Sequence, residues 1–436
     1  MCLYPMSSSA LVAVLVAFAL ATFGVPEAAG AGVAPALEWA AVQGIGTYDQ
    51  ALDVATARDG TVYISGQTDD DFFAASYNPD RSFRWSSFGD RGYAAGVAAG
   101  PAGSAFAVGA STSDSDSEAF LTRFRPDGRR QWTVYLGGQL GDAARDVAYR
   151  AGYVYIVGDT EGPSLTARNV RGDADIFVAR YSAAGRLDWL RLLHVAAGYD
   201  SGQGIAVTHD AIFITGFSGD GDAVAARYSL QGRRIWLRRL AGTNADGSRS
   251  LDSARSIAAT DKAVFVGGNT DSTGTFGGQP VLGGRDAFIA RMTPDGATEW
   301  LRLVGGPERE ALTGVAVAAG RLYGTGIAFG SSFLDQPVQS DADLYLVELS
   351  VGGGQVQSAL TLTGNKCPAP GYTYGQGVAA APDGAIYVAG DSLCKYFEDQ
   401  PVCVGTDAIL VKFAHVPAGR TSAALPPARD PCKPVK

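Results

Sequence analysis

The chain has 436 residues, 57 of them glycine, and a formal net charge of −9 at pH 7. Binding to nucleic acid needs a basic surface, so this acidic balance argues against a nucleic-acid partner. Hydrophobic residues make up 46% of the sequence, which is too many for an intrinsically disordered chain.

Residues 1–31 have the features of a signal peptide. The apolar run ALVAVLVAFALA covers residues 10–21, which is the length of a signal-peptide core and too short to span a bilayer. Ala29, Gly30 and Ala31 supply the small residues of a cleavage site. No later stretch is long and apolar enough for a transmembrane helix. We therefore expect an exported monomer without a membrane span, which is secreted, periplasmic or on the cell surface.

The rest of the chain consists of repeats. Tryptophan recurs at positions 39, 85, 132, 189, 236 and 300, a spacing that suits one propeller blade with variable loops. Each repeat also has a β-branched run such as DVAY, a run ending in glycine such as VYIVG, and a run led by an acid such as DIFVARY. Seven copies of each run are present, and their shortness and the flanking glycines and acids predict strands.

These repeats predict an all-β fold, a β-propeller of seven four-stranded blades over residues 37–413. The mature chain begins with an outer segment at Trp39 and ends with an acid-led strand at Asp407. We expect the N-terminal segment to be the outermost strand of the last blade. This pairing would join the two ends of the chain and leave no open sheet edge.

Two resemblances accompany the repeats. Residues 276–300, FGGQPVLGGRDAFIARMTPDGATEW, are the part most similar to the bacterial SBBP-type beta-propeller repeat family. That resemblance implies the architecture and says nothing about activity. Ala179, Gly185 and Trp189 have a spacing that resembles the tryptophan-docking motif of quinoprotein propellers. It implies a tight turn at the glycine and a tryptophan packed flat between blades.

Acidic residues recur in the predicted loops. An acid leads each third strand, and several of these acids follow another acid two residues earlier. Since both loop types of a meander project from one face, we expect one acid-rich face. Asp-x-Asp in a loop can bind calcium, so the candidate ligands are Asp173, Asp175, Asp220, Asp222, Asp341 and Asp343. The alternative is that these side chains cap turns, and their recurrence in every repeat favours it.

The C-terminal region holds four cysteines, Cys367, Cys394, Cys403 and Cys432. An even number in an exported chain favours disulfides. Cys394 with Cys403 would close a short loop, and Cys367 with Cys432 would tether the Pro-rich tail of residues 414–436. Free thiols or a metal site are the alternatives.

The sequence favours binding over catalysis. The three histidines occupy unrelated positions, and we find neither a nucleophile elbow nor a phosphate-binding loop. No catalytic or cofactor-binding residue is assigned. We expect a non-catalytic scaffold that binds a protein or glycan partner through its loop face, because variable loops on a rigid scaffold are where binding usually lies. The alternatives are a propeller enzyme, either a quinoprotein dehydrogenase or a carbohydrate-active hydrolase or lyase, and a structural module of the cell envelope.

Overall fold

The structure is a computed structural model, and it describes residues 35–44, 46–112, 116–138, 140–161, 171–364, 371–394, 396–397, 400–402 and 405–414. In these ranges the chain forms β-strands joined by turns, with one 3-10 turn at Pro101–Gly103 and no α-helix. None of the described helical structure could cross a bilayer. The predicted signal peptide, Cys367, Cys403, Cys432 and the tail beyond residue 414 lie outside the described residues.

Strands of the N-terminal half follow the predicted runs. The first strand is β1 (Ala36–Gln43). Repeats 1 and 2 comprise β2 (Asp49–Thr56), β3 (Val62–Thr68), β4 (Asp71–Tyr77), β5 (Phe83–Ala99), β6 (Ala105–Thr112), β7 (Ser117–Phe124) and β8 (Arg130–Leu136). Repeat 3 comprises β9 (Asp142–Arg150), β10 (Tyr153–Thr160), β11 (Asp175–Ser182) and β12 (Leu187–Leu193). Repeat 4 comprises β13 (Ser201–Val207), β14 (Ala211–Phe217), β15 (Ala223–Ser229) and β16 (Arg234–Leu240).

The C-terminal half adds two-residue strands in its loops. Repeat 5 comprises β17 (Gly242–Thr243), β18 (Asp252–Ala259), β19 (Val264–Thr270), β20 (Thr275–Phe276), β21 (Gln279–Pro280), β22 (Asp286–Met292) and β23 (Thr298–Val304). Repeat 6 comprises β24 (Glu310–Ala318), β25 (Arg321–Phe329), β26 (Ser332–Phe333), β27 (Gln336–Pro337), β28 (Ala342–Ser350) and β29 (Val356–Leu362). Repeat 7 comprises β30 (Thr373–Ala380), β31 (Ile386–Ser392), β32 (Tyr396–Phe397), β33 (Gln400–Pro401) and β34 (Asp407–Ala414).

Antiparallel pairing builds a four-stranded meander in each repeat, as in the orders β9–β10–β11–β12 and β13–β14–β15–β16. The long strand β5 serves two repeats, since its first half pairs with β4 and its second half with β6. The first strands contact one another in chain order, and β30 contacts β2. The all-β propeller fold is therefore confirmed. The number of seven blades stays a prediction, with which this pairing agrees.

The ends of the chain close the ring as the sequence predicts. Strand β1 pairs antiparallel with β34, so that Ala36 faces Ala414 and Val42 faces Ile409. The resulting sheet has the order β1–β34–β31–β30. Trp39 of β1 is buried and joins a hydrophobic cluster with residues of repeats 1 and 7. The first and last parts of the fold are thus held together by main-chain hydrogen bonds and by apolar burial.

Each hydrophobic cluster lies between two consecutive repeats. In repeat 3, Ile156 and Phe177 pack toward repeat 2, whereas their strand neighbours Val157 and Ile176 pack toward repeat 4. Successive side chains of a strand point to opposite faces, so a sheet with a neighbour on each side buries both sets. This explains why the inner strands read as continuous apolar runs rather than as alternating ones.

Tryptophans of the outer strands bind to the next repeat, as predicted. The Trp189 indole donates a hydrogen bond to the carbonyl of Leu230, at 3.3 Å. It also packs so closely on Gly232 that a Cβ there would lie 3.0 Å from the ring. Gly232 has φ of +80°, a region that favours glycine. The glycine is therefore required both by the turn and by the tryptophan of the preceding repeat.

Candidate functional site

A β-bulge occurs at the same place in every first strand. In β18, for example, the register shifts between Ala254 and Ser256, which leaves Arg255 without a partner on β19. A bulge re-aims the extra side chain and is frequent beside functional sites. The bulged residues are Leu52, Ala95, Arg145, Gln203, Arg255, Thr313 and Gln376. We call this set the bulge residues.

All the bulge residues line one cavity of about 440 Å³, which we call the central cavity. The first strands of all repeats contribute to it, so it lies where the sheets converge. The side chains around it are unlike one another: Arg145 and Arg255 are cationic, Gln203 and Gln376 are amides, and Leu52 is apolar. Its volume is within the range of sites that bind small molecules.

The residue after each bulge sets the distance between neighbouring repeats. Asp53 accepts a hydrogen bond from the backbone N–H of Val97 at 2.8 Å, and Asp146 accepts one from Ile205 at 2.8 Å. In four of the other five repeats, the residue at this position is glycine. At Gly314, an added Cβ would lie 3.0 Å from the backbone nitrogen of Val378. The aspartates therefore bind the first strand of a neighbouring repeat through a hydrogen bond, and the glycines allow that strand to approach closely.

Two of these carboxyl groups have unusual electrostatics. Burial raises the pKa of Asp53 to about 7, and hydrogen bonds from Val97 and Val54 offset only part of this effect. Burial also raises the pKa of Asp146 well above its usual range, and the charge of Asp53 adds to the rise. At neutral pH this pair therefore carries less negative charge than two ordinary aspartates would.

A network of hydrogen bonds fixes Arg145 at one side of the central cavity. The Arg145 guanidinium donates to both oxygens of Asp159, at 2.8 and 3.2 Å, and to the hydroxyl of Tyr93 at 2.8 Å. Tyr199 and Ser201 also donate to Asp159, each at 2.6 Å. The network connects repeats 2, 3 and 4. Because Asp159 is 1% exposed, its charge is neutralised inside the protein rather than by solvent.

A second cavity, of about 380 Å³, adjoins the central one. Arg255, Asn269 and Arg285 line both, and we call the second one the side cavity. Its other walls include Tyr199 and Phe217, whose rings stack at a centroid distance of 6.4 Å. The side cavity lies between repeats 4 and 5.

The predicted calcium ligands are mostly engaged by protein donors. Asp343 accepts hydrogen bonds from the backbone N–H of Gln339 at 2.7 Å and of Ser340 at 3.3 Å. Asp341 accepts one from Gly371 at 2.8 Å, and Asp175 accepts one from Arg171 at 3.2 Å. These contacts are those of turn caps. Asp173 is exposed at the surface.

The remaining candidate pair is held by arginines. One Arg239 nitrogen lies 2.7 Å from carboxylate oxygens of both Asp220 and Asp222, and Arg249 binds Asp220 at 2.6 Å. Partial burial raises the pKa of Asp220, but hydrogen bonds from Ser218 and the two arginines outweigh it and hold that pKa well below its usual range. This carboxylate pair is thus compensated by protein cations.

The structure also differs from the expectation of an exposed acidic face. Five of the seven strand-leading acids, Asp175, Asp222, Asp286, Asp343 and Asp407, are 0–3% exposed, whereas Asp71 and Glu118 are exposed. The acids that begin or precede the first strands are buried beside them, namely Asp49, Asp142, Asp200, Asp252 and Glu310. The loop types do meet, as predicted. In five of the repeats they meet in the interior, however, because carboxylates such as Asp175 and Asp343 turn inward to accept backbone N–H groups.

A histidine lies between two of these acids. The Nδ1 atom of His194 is 3.0 Å from Asp175 and 3.6 Å from Asp200. This is the one group in the described ranges whose geometry brings three metal-binding side chains together. Asp200 already accepts hydrogen bonds from Val195, Ala196 and Gly219, between 2.6 and 3.1 Å. Backbone N–H groups thus occupy the lone pairs of Asp200. The His194 imidazole is a further polar neighbour that the two carboxylates share.

The residues of the two cavities were not predicted from the sequence. Leu52, Arg145, Gln203 and Arg255 occupy the same position in the first-strand run of their repeats. The available signal was that this position varies in chemistry between otherwise similar runs.

Cys394 is buried, and its predicted disulfide partner lies outside the described residues.

Comparison with known proteins gives limited similarity. No family model matches the chain. The Regulatory protein FlaEY of Caulobacter vibrioides is 24% identical over 309 residues, which cover 63% of this chain and 32% of that protein. The chain thus spans about a third of the length of this relative. A crystal structure of quinohemoprotein alcohol dehydrogenase from Comamonas testosteroni aligns with a TM-score of 0.43 and 10% identity, over 86% of this chain and 76% of that one.

Proposed function

We propose that this protein is an exported, non-catalytic binding propeller that takes part of a glycan or protein partner into its central and side cavities. The observation that carries the proposal is the contrast between constant and variable positions of the repeats. Capping acids, bulges and docking glycines recur, as a scaffold requires. The bulge residues differ from repeat to repeat although they occupy equivalent positions, and a set of unlike side chains around one cavity suits recognition of one ligand.

Location and shape support the same proposal. The apolar leader of residues 10–21 favours export, which would place the protein where glycans and surface proteins are its neighbours. The side cavity opens at loops between strands, and such loops usually carry binding in rigid scaffolds. The partner site that the sequence predicts on the loop face is thereby extended inward to the cavity wall.

A cavity-filling substitution tests the proposal. Ala95 is a bulge residue that lines the central cavity and is half-buried, so Ala95→Trp would fill space that the proposal assigns to the ligand. Labelled wild-type protein on a glycan array, followed by a surface-peptide array, should give binding that Ala95→Trp loses. Ala297→Trp, at an exposed position, is the control for the added indole. Binding that survives in Ala95→Trp contradicts the proposal.

The enzyme alternative has a separate test. An absorbance spectrum of protein purified from its natural source would detect a bound quinone, which the binding proposal does not include. A quinone spectrum would replace the binding propeller by a quinoprotein dehydrogenase.

A further inference from the structure

Arg255 differs from the other arginines of the two cavities. Arg145 has Asp159 as its carboxylate partner, and Arg285 binds Asp271 through Nε at 2.5 Å and Nη2 at 2.7 Å. No hydrogen bond or ion pair of Arg255 is found in the described ranges of the chain. Its side chain is exposed to the cavity, at the boundary between the central and side cavities.

The carboxyls near Arg255 are all bound to other groups. Asp159 and Asp271 are each paired with an arginine. Asp271 lines the side cavity, and the further carboxyls that line the two cavities are Asp53, Asp146 and Asp252. Asp53 and Asp146 accept backbone N–H bonds, and Asp252 accepts hydrogen bonds from Gly242 at 2.6 Å and Ser250 at 2.8 Å. Burial raises the pKa of each, and no ion pair joins any of them to Arg255 in the described residues.

A guanidinium that is held in a cavity without a hydrogen-bond partner is costly for a protein that gains nothing from it. Burial lowers the pKa of Arg255, and the charges of Arg285 and Arg145 lower it further. The group nevertheless stays charged, because an arginine in a protein does not lose its proton near neutral pH. A hydrophobic or amide side chain would fit the bulge with less repulsion, as Leu52 and Gln203 do in their repeats.

We propose that Arg255 binds the anionic group of a small ligand, a carboxylate or a phosphate, at the junction of the two cavities. The planar guanidinium offers several N–H donors in a geometry that matches either group through two hydrogen bonds. Asn269 is the neighbouring polar residue: its side-chain oxygen accepts the backbone N–H of Leu312 at 2.6 Å, which leaves its amide nitrogen as a donor. The uncharged part of the ligand extends into the side cavity, beside Tyr199 and Phe217.

This inference rests on the proposed function, because it names the ligand class of the same cavities. It also makes a prediction about stability that needs no ligand. Arg255→Gln removes a charge that is repelled by Arg145 and Arg285 and breaks no hydrogen bond in the described structure, so its melting temperature should equal or exceed that of the wild type. A melting temperature several degrees lower would show a structural role and overturn the inference.

The binding test uses three probes that share one sugar ring. D-glucuronate carries a carboxylate, glucose 6-phosphate carries a phosphate, and D-glucose carries no charge. Saturation-transfer difference NMR at millimolar concentration should show transfer to at least one anionic sugar and much less to glucose. Which of the two anionic sugars binds identifies the source of the anionic group.

Two variants decide the result. Arg255→Gln should reduce the transfer at least tenfold, whereas Arg234→Gln, which removes an exposed charge on β16, should leave it unchanged. Equal transfer to glucose, transfer that persists in Arg255→Gln, or none to either anionic sugar overturns the inference. An array ligand that Ala95→Trp loses and Arg255→Gln retains would leave the proposed function intact and reject only the anion site.

Discussion

The indole of Trp236 lies against the α-carbon of Gly296 in the next repeat, so that a Cβ added at Gly296 would be 3.0 Å from the ring. The indole N–H donates to the carbonyl of Pro294 at 2.9 Å, and Nε of Arg238 donates to the carbonyl of Gly296 at 3.0 Å. One turn of repeat 5 is thus clamped by two side chains of repeat 4. The same arrangement recurs at Trp189 and Gly232.

Gly296→Ala should destabilise the protein by two separable effects. The backbone at Gly296 has φ of +87°, which costs an L-residue about 1–2 kcal/mol. The new methyl group would also press on Trp236, and overpacking typically costs about 1–3 kcal/mol. Gly384 is the matched control, since it ends the same Pro-Asp-Gly sequence at φ of +88° with no atom within 4 Å of an added Cβ. Urea unfolding of both variants measures the difference.

The excess loss in Gly296→Ala over Gly384→Ala reports the tryptophan contact alone. Equal losses in the two variants would mean that the indole moves aside freely and that the clamp between the repeats contributes nothing.

Removal of β1 should open the ring. Deletion of residues 1–43 exposes the edge of β34 and removes the buried Trp39 from its cluster, whereas deletion of residues 1–34 leaves both in place. An unpaired strand edge invites association with other chains. The longer deletion should therefore aggregate or melt at a clearly lower temperature, as followed by light scattering during heating. The same melting curve for both deletions would reject closure by β1.

Asp159 should be more important for stability than any single partner in its network. Asp159→Ala leaves the Arg145 guanidinium without its carboxylate and removes the acceptor of Tyr199 and Ser201. Breaking a buried ion pair from one side typically costs about 3–5 kcal/mol. Tyr93→Phe removes one hydroxyl contact to Arg145 and should cost about 1 kcal/mol. Chemical unfolding that ranks the two variants in the opposite order would contradict this account.

Calcium should leave the melting temperature unchanged. Five of the six candidate acids already accept backbone N–H bonds, as Asp343 does, or bind arginines, as Asp220 does, and the sixth, Asp173, is exposed. A site that binds only the folded protein would stabilise it by about 2.7 kcal/mol when calcium is present at about one hundred times its dissociation constant. Melting curves with chelator and with millimolar calcium, at constant ionic strength, distinguish the two cases. A clear rise with calcium would restore the metal prediction.

The sequence predicted the scaffold better than the site. Repetition exposes a scaffold, because every capping acid, such as Asp175 or Asp286, and every docking glycine, such as Gly232, appears several times in register. The cavity residues are not repeated. Arg255 is recognisable only when the bulge of β18 shows that its side chain has left the sheet and that the first strands converge on it. The inward turn of the acids was also missed, since sequence does not distinguish an exposed carboxylate from one that caps a buried turn.

Stability should fall as pH rises from about 5 to 8, and Glu310 should account for part of the fall. Glu310 is 0% exposed, and no side-chain donor reaches either oxygen. Burial raises its pKa from 4.5 to about 8, and the charges of Asp286 and Glu308 add to the rise. Between these two values the folded state holds a proton that the unfolded state releases, so the free energy of unfolding decreases with rising pH.

The size and origin of this effect can be measured with two glutamine variants. One such group contributes at most about 1.4 kcal/mol per pH unit. Glu310→Gln cannot ionise, so its free energy of unfolding should decline less between pH 5 and 8 than that of the wild type. Other buried acids with raised pKa values, such as Asp391, should preserve part of the decline. Glu308→Gln removes an exposed charge from the same loop and should keep nearly the whole decline, because the buried carboxyl remains. Urea unfolding of the three proteins at pH 5, 6.5 and 8 provides the comparison, and identical slopes for Glu310→Gln and the wild type would show that this carboxyl is ionised in the folded protein.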